Sequence, residues 1–168
     1  MLLLDRGEVN THGGGLMQTL YPILLSFHNI MRWAIVVLGL IVLARSYIGW
    51  FGKHQYTETD RKAGVFYSVA LDIQLLLGFF LYFISPLTKG AFANILAFIG
   101  NLGTRAAFFG MEHEIAMILA VVLAHVGSIL SRKPRQGDGQ FRQAAIWYTL
   151  SFLLILIGMP WSRPPLRF

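Results

Sequence analysis

Four apolar runs, each about as long as a bilayer is thick, constrain this chain more than any other feature. They extend from about Leu20 to Tyr47, Gly64 to Ile84, Phe108 to Leu130 and Ala144 to Met159, and a helix needs roughly 20 residues to cross. Pro86 and Pro160 stand where the second and fourth runs end, as expected of a residue that cannot continue the helical hydrogen-bond ladder. The pattern predicts an all-α integral membrane four-helix bundle with up-down-up-down connectivity over residues 20–162. A tail of residues 1–19 precedes it and one of residues 163–168 follows.

Composition agrees. Of the 168 residues 55% are hydrophobic and only 13% charged, with a mean hydropathy of +0.59, whereas soluble domains carry roughly 25% charged residues. Cysteine is absent, which removes disulfides, thiolate metal sites, iron–sulfur clusters and covalent c-type haem attachment. Histidine remains as the candidate ligand. The net charge of +6 lies in loops between apolar runs, a pattern that reports membrane orientation rather than nucleic-acid binding.

Met1-Leu2-Leu3-Leu4-Asp5-Arg6 is too short an apolar stretch, without a basic lead, for a cleavable signal. Gly13-Gly14-Gly15 reads as a flexible joint before the first span. Within the long second loop, the run from Ala91 to Ile99 is apolar but too short to cross, so a short interfacial or re-entrant helix is expected there.

Arg45, Lys53, Arg61, Lys62, Arg132, Lys133, Arg135 and Arg142 flank the first and third loops, eight cations in all. Arg6, Lys89, Arg105, Arg163 and Arg167, five, lie on the other side. The positive-inside rule then predicts cytoplasmic first and third loops, with both termini outside the cytoplasm.

Ionisable groups inside a span cost several kcal/mol unless paired, so each needs a reason. His28 lies about eight residues into the first span and His113 about five into the third, a depth difference of only about 5 Å. Two histidines on two helices at one depth suit axial ligation of a haem iron. Ala116, Ala120, Ala124 and Gly127 share the His113 face, a small-residue stripe open to a flat macrocycle or to ordinary helix packing. Arg32 is one turn below His28. Its depth matches that of Asp72, so a buried ion pair is expected, with a haem propionate as the alternative partner.

Glu112 next to His113 suits second-shell orientation or pairing with Arg105; Glu114 suits a solvated helix start. His125 lies about 18 Å deeper than His113 and is turned by roughly 120° from it. No histidine faces it at that depth, so it reads as a hydrogen-bonded core residue and leaves room for one haem. His12 and His54 fall in the tail and the first loop. Gln74 and Tyr82, with Trp147, Tyr148 and Thr149, could contact a quinone headgroup, although aromatic belts put Trp and Tyr at both interfaces anyway.

His28, Arg32 and Trp33 as His-x-x-x-Arg-Trp, Asp72 to Gly78 as Asp-Ile-Gln-Leu-Leu-Leu-Gly, Tyr82-Phe83, Glu112-His113, and a terminal Pro160-Trp161 with Arg163-Pro164 form a set of short motifs along the chain. Together they resemble the small bacterial four-helix membrane proteins labelled cytochrome b-like, over residues 20 to 165. The resemblance implies a bacterial cytoplasmic-membrane protein in which His28 and His113 hold one haem b. Its role would be electron transfer, here between a quinol or partner subunit and an outside acceptor; an enzyme with its own substrate is the least expected class. The competing expectation is a haem-free accessory subunit of a membrane redox complex, with His28, Arg32, Asp72 and Glu112 forming a buried polar network. A small transporter using Asp72, Gln74 and His125 is a third, without the broken helices or inverted repeat such proteins carry.

Overall fold

A computed structural model describes the backbone of residues 12–85, 88 and 107–161, and side chains from residue 19 onward. Among these residues every regular element is helical: α1 (His12–Phe51), α2 (Glu58–Ile84), α3 (His113–Arg132) and α4 (Gly139–Gly158). A π-helical turn, Phe108–Glu112, leads directly into α3. All four helices are long and apolar enough to cross a membrane. The chain is a multi-pass membrane protein with a four-helix bundle fold. Each helix packs against the two next to it in a ring closed by α4 on α1. The connections of residues 52–57 and 133–138 are short, as for antiparallel neighbours in a bundle.

The helices begin earlier than the apolar runs that announce them. α2 starts at Glu58 because Thr57 caps it: its side chain accepts from the Asp60 N–H while the Asp60 carboxylate accepts from the Thr57 N–H, a reciprocal capping box. α1 starts at His12 and includes Gly13-Gly14-Gly15, so the expected flexible joint is helical. Extending a formed helix adds one hydrogen bond per residue, which offsets the low propensity of glycine. α2 and α4 end just before Pro86 and Pro160. Ser85 and Met159 are extended, with ψ of 132° and 130°, because a following proline disfavours the α conformation. The expected interfacial helix at residues 91–99 lies outside the described residues.

The core is made by aromatic side chains of α4 entering glycine gaps on the facing helices. A Cβ on Gly39 would stand 2.5 Å from Phe152; on Gly49 it would strike the Phe141 ring, and on Gly64 the Tyr148 hydroxyl. Tyr148 and Tyr67 meet edge to face, 5.7 Å between centroids, within the favoured range for ring pairs. The Tyr67 hydroxyl lies 3.2 Å from Ser151 Oγ, which donates to the Ala120 carbonyl at 2.8 Å. Small residues and interhelical hydrogen bonds do here what the hydrophobic effect cannot do between helices in lipid. Large apolar side chains such as Val37, Leu76, Val122 and Ile157 cover the outer surface.

Candidate functional site

The inward stripe of α1 runs through Asn29, Arg32, Ile35, Gly39, Val42, Ser46 and Gly49, all buried, at the three- and four-residue spacing of one helix face. His28 and Arg32 lie along its N-terminal half and line a cavity of about 80 Å³ with Gln74, Tyr82, His113 and Glu114. At about 10–15 Å³ per water this holds a handful of water molecules.

The two histidines meet in this cavity. Their ring centroids are 6.3 Å apart with planes at 70°. Each ring is positioned by a different device. His28 faces the gap left by Gly78 on α2: a Cβ there would come within 3.3 Å of His28 Cε1. Gln74 Nε2 donates to the His28 carbonyl at 2.9 Å and ties α1 to α2 at this level; its Oε1 has no hydrogen-bond partner among the described residues.

His113 is held from the far side of the bundle. Its Nδ1 lies 2.7 Å from the carbonyl oxygen of Gly158, the last residue of α4. Terminal carbonyls have no intrahelical partner, so side chains can take them. Pro160 also supplies no N–H to Leu156, and the Trp161 indole donates to that carbonyl instead, at 2.9 Å. Gly158 can reach this close because it lacks a side chain: an added Cβ would lie 2.9 Å from Ala116 Cβ and 2.6 Å from Met117 Cε. On the chain-leading side, the π turn closes on His113, whose N–H donates to the Phe108 carbonyl. Tyr82 donates to the Gly110 carbonyl at 3.0 Å and fastens that turn to α2. Such π turns are rare and concentrate at functional sites.

Several expected site residues fall elsewhere. Ala116 and Ala120 are on the α3–α4 seam rather than the cavity wall: Ala116 faces Gly158, and Ala120 takes the Ser151 hydrogen bond. The small-residue stripe serves helix packing. Arg32 and Asp72 do not pair. Arg32 is 7% exposed and faces the cavity, whereas Asp72 points outward and lies 3.4 Å from His125 Nε2. Equal depth was matched, but not rotation about the helix axes. His125 is hydrogen-bonded, through Nδ1 to the Val121 carbonyl at 3.0 Å, yet half-exposed rather than in the core.

Of the two acids beside His113, Glu114 lines the cavity and Glu112 does not. The extra residue of the π turn sets which of them faces inward. Of the candidate quinone contacts, Gln74 and Tyr82 line the cavity. Trp147 donates to Gln143, Thr149 bonds Tyr47, and Tyr148 is in the core. Arg105 lies outside the described residues. Gly78 and Gly158 carry the positioning, a role that the residue pattern alone does not assign to either. Only Gly158 had a visible signal, a helix-ending glycine two residues before a proline. No known protein family, curated protein or solved structure matches the chain.

Proposed function

We propose that this chain is a membrane-embedded b-type cytochrome-like electron-transfer protein that holds one haem between His28 and His113. The observation that carries the reading is the separation of the two rings together with the hydrogen bond behind one of them. An imidazole nitrogen binds a metal at about 2.0–2.1 Å, so two rings that share one metal must lie close to each other. The ring centres of His28 and His113 are 6.3 Å apart. Ordinary ring contacts also fall in this range, so the second observation matters. A His113 ring that donates Nδ1–H to the Gly158 carbonyl keeps Nε2 as the lone-pair nitrogen, the arrangement found behind metal-ligating histidines.

The donor set fits a haem. The cavity of about 80 Å³ is smaller than a macrocycle, so haem binding would require its lining to open. A bound haem supplies one-electron chemistry. The residues of the chain would do the rest: His28 and His113 would hold the iron. Arg32 lines the same cavity and is the cation that would meet a propionate. Electrons would pass between a quinol or partner subunit and an acceptor on the outer side of the bacterial cytoplasmic membrane, with both termini on that side. The motif resemblance to cytochrome b-like proteins points the same way.

The small cavity favours a second reading, a haem-free accessory subunit of a membrane redox complex whose polar interior sets helix register. Gln74 and Tyr82 would then be the contacts for a quinone headgroup in the same space. A dithionite-minus-oxidised spectrum of the purified protein separates the two. The haem reading expects a sharp α band that His28→Ala and His113→Ala each abolish and His125→Ala leaves unchanged. Well-folded protein without that band, after expression with haem supplied, would sink it.

A further inference from the structure

Asp72 and His125 are a level pair of ionisable side chains on the outer surface, where α2 and α3 adjoin. The carboxylate and Nε2 are 3.4 Å apart, and the side chains are 44% and 46% exposed. Asp72 is the fifteenth of 27 residues in α2, about 20 Å from either end. His125 stands seven residues before Arg132, about 10 Å from the end of α3. Neither short side chain spans such a distance to water, so both open toward hydrocarbon, where polar groups are costly and mark function or contact. The surrounding outward residues are apolar: Val69 and Leu76 on α2, Val122 and Ile129 on α3.

The pair does not satisfy itself. At 3.4 Å the contact is longer than a good N–H···O hydrogen bond, and a carboxylate accepts several donors. His125 already uses Nδ1 within its own helix, so only Nε2 faces outward to Asp72.

We infer that Asp72 and His125 form half of a self-complementary interface, completed by a second copy of this chain across the α2–α3 face. A two-fold axis along the membrane normal preserves depth. Residues level within one copy are therefore level between copies, and Asp72 of each meets His125 of the other. The result is a cluster of two acids and two imidazoles, each Nε2 lying between the two carboxylates, shielded from lipid by the apolar residues around it. Such an isologous contact is the commonest form of assembly, and polar side chains that find partners across helices hold it together.

The native chain has no cysteine, so one introduced cysteine reports one position. Full-length Leu76→Cys, reconstituted in liposomes and treated with a bismaleimide, is expected to give a covalent dimer. Val37→Cys, on the lipid face of α1, is expected to stay monomeric. Adding Asp72→Asn should lower the Leu76→Cys dimer yield about tenfold, in the range of interhelical polar contacts. The exchange Asp72→His with His125→Asp should restore it. Equal yields at the two cysteines, or a Leu76→Cys yield unmoved by Asp72→Asn, would overturn the interface. Should Asp72→Asn fail to fold by circular dichroism, lipid dilution of Leu76→Cys decides. A yield that holds on dilution supports the dimer, and one that falls in proportion to protein density refutes it.

Discussion

Gly158 and His113 are bound to each other at 2.7 Å across the α3–α4 seam, and the contact exists only because residue 158 has no side chain. An added methyl group would press on Ala116 Cβ and Met117 Cε. Gly158→Ala should therefore push the end of α4 outward, release the His113 ring, and cost about 1–3 kcal/mol as overpacking does. Thermal unfolding in detergent, followed by circular dichroism, measures it. An unchanged midpoint would show that the seam yields freely. If haem is bound, its α band should weaken in this variant.

Gly64 and Tyr148 make a similar fit on the opposite side of the core. A Cβ at position 64 would fall on the Tyr148 hydroxyl, the end of a rigid and fully buried ring. Gly64→Ala should destabilise by about 1–3 kcal/mol. Combining it with Tyr148→Phe should recover part of that loss, since the clashing oxygen is gone. A double variant as unstable as the sum of the singles would reject the explanation.

Ser151 links three helices through one hydroxyl, donating to the Ala120 carbonyl and contacting the Tyr67 hydroxyl. Ser151→Ala leaves the Tyr67 hydroxyl buried without this partner, which costs about 1–3 kcal/mol. Tyr67→Phe in the same chain removes the stranded group and should be less destabilising than simple addition implies. A double-mutant cycle by denaturant unfolding reads the coupling.

Asp60 does two jobs at the start of α2. It accepts from Thr57 N at 2.9 Å and Thr57 Oγ1 at 2.6 Å, and from Arg45 Nε and Nη2 at 2.9 and 2.7 Å. Loss of a cap costs about 1 kcal/mol. The Arg45 side chain is 41% exposed, so its share stays near the surface range of about 0.2–1 kcal/mol. Asp60→Ala should thus cost more than Arg45→Ala. Hydrogen exchange of the first turn of α2 should quicken in the Asp60 variant first.

How much of this was legible in the chain depended on what each feature required. Four crossing helices followed from run length, because lipid tolerates no other use for such apolar stretches. His28 and His113 could be matched in depth because rise per residue is constant along a helix. The same arithmetic misled for Arg32 and Asp72. Depth does not say which way a side chain faces, and Leu71 and Gln74, buried on either side of Asp72, leave it turned outward. Likewise the alanine stripe after His113 was visible, but not whether a ligand or α4 would occupy it.

The sequence by itself therefore determined the number of spans, their prolines as stops and the depth of each polar group, all of which are properties of one helix in lipid. Tertiary structure alone decided that the rings of His28 and His113 meet at 6.3 Å, that Gly158 braces one of them, and that Asp72 joins His125. Those depend on rotation about helix axes and on close approach at glycine. Both are set by packing between helices rather than by the pattern along any one of them.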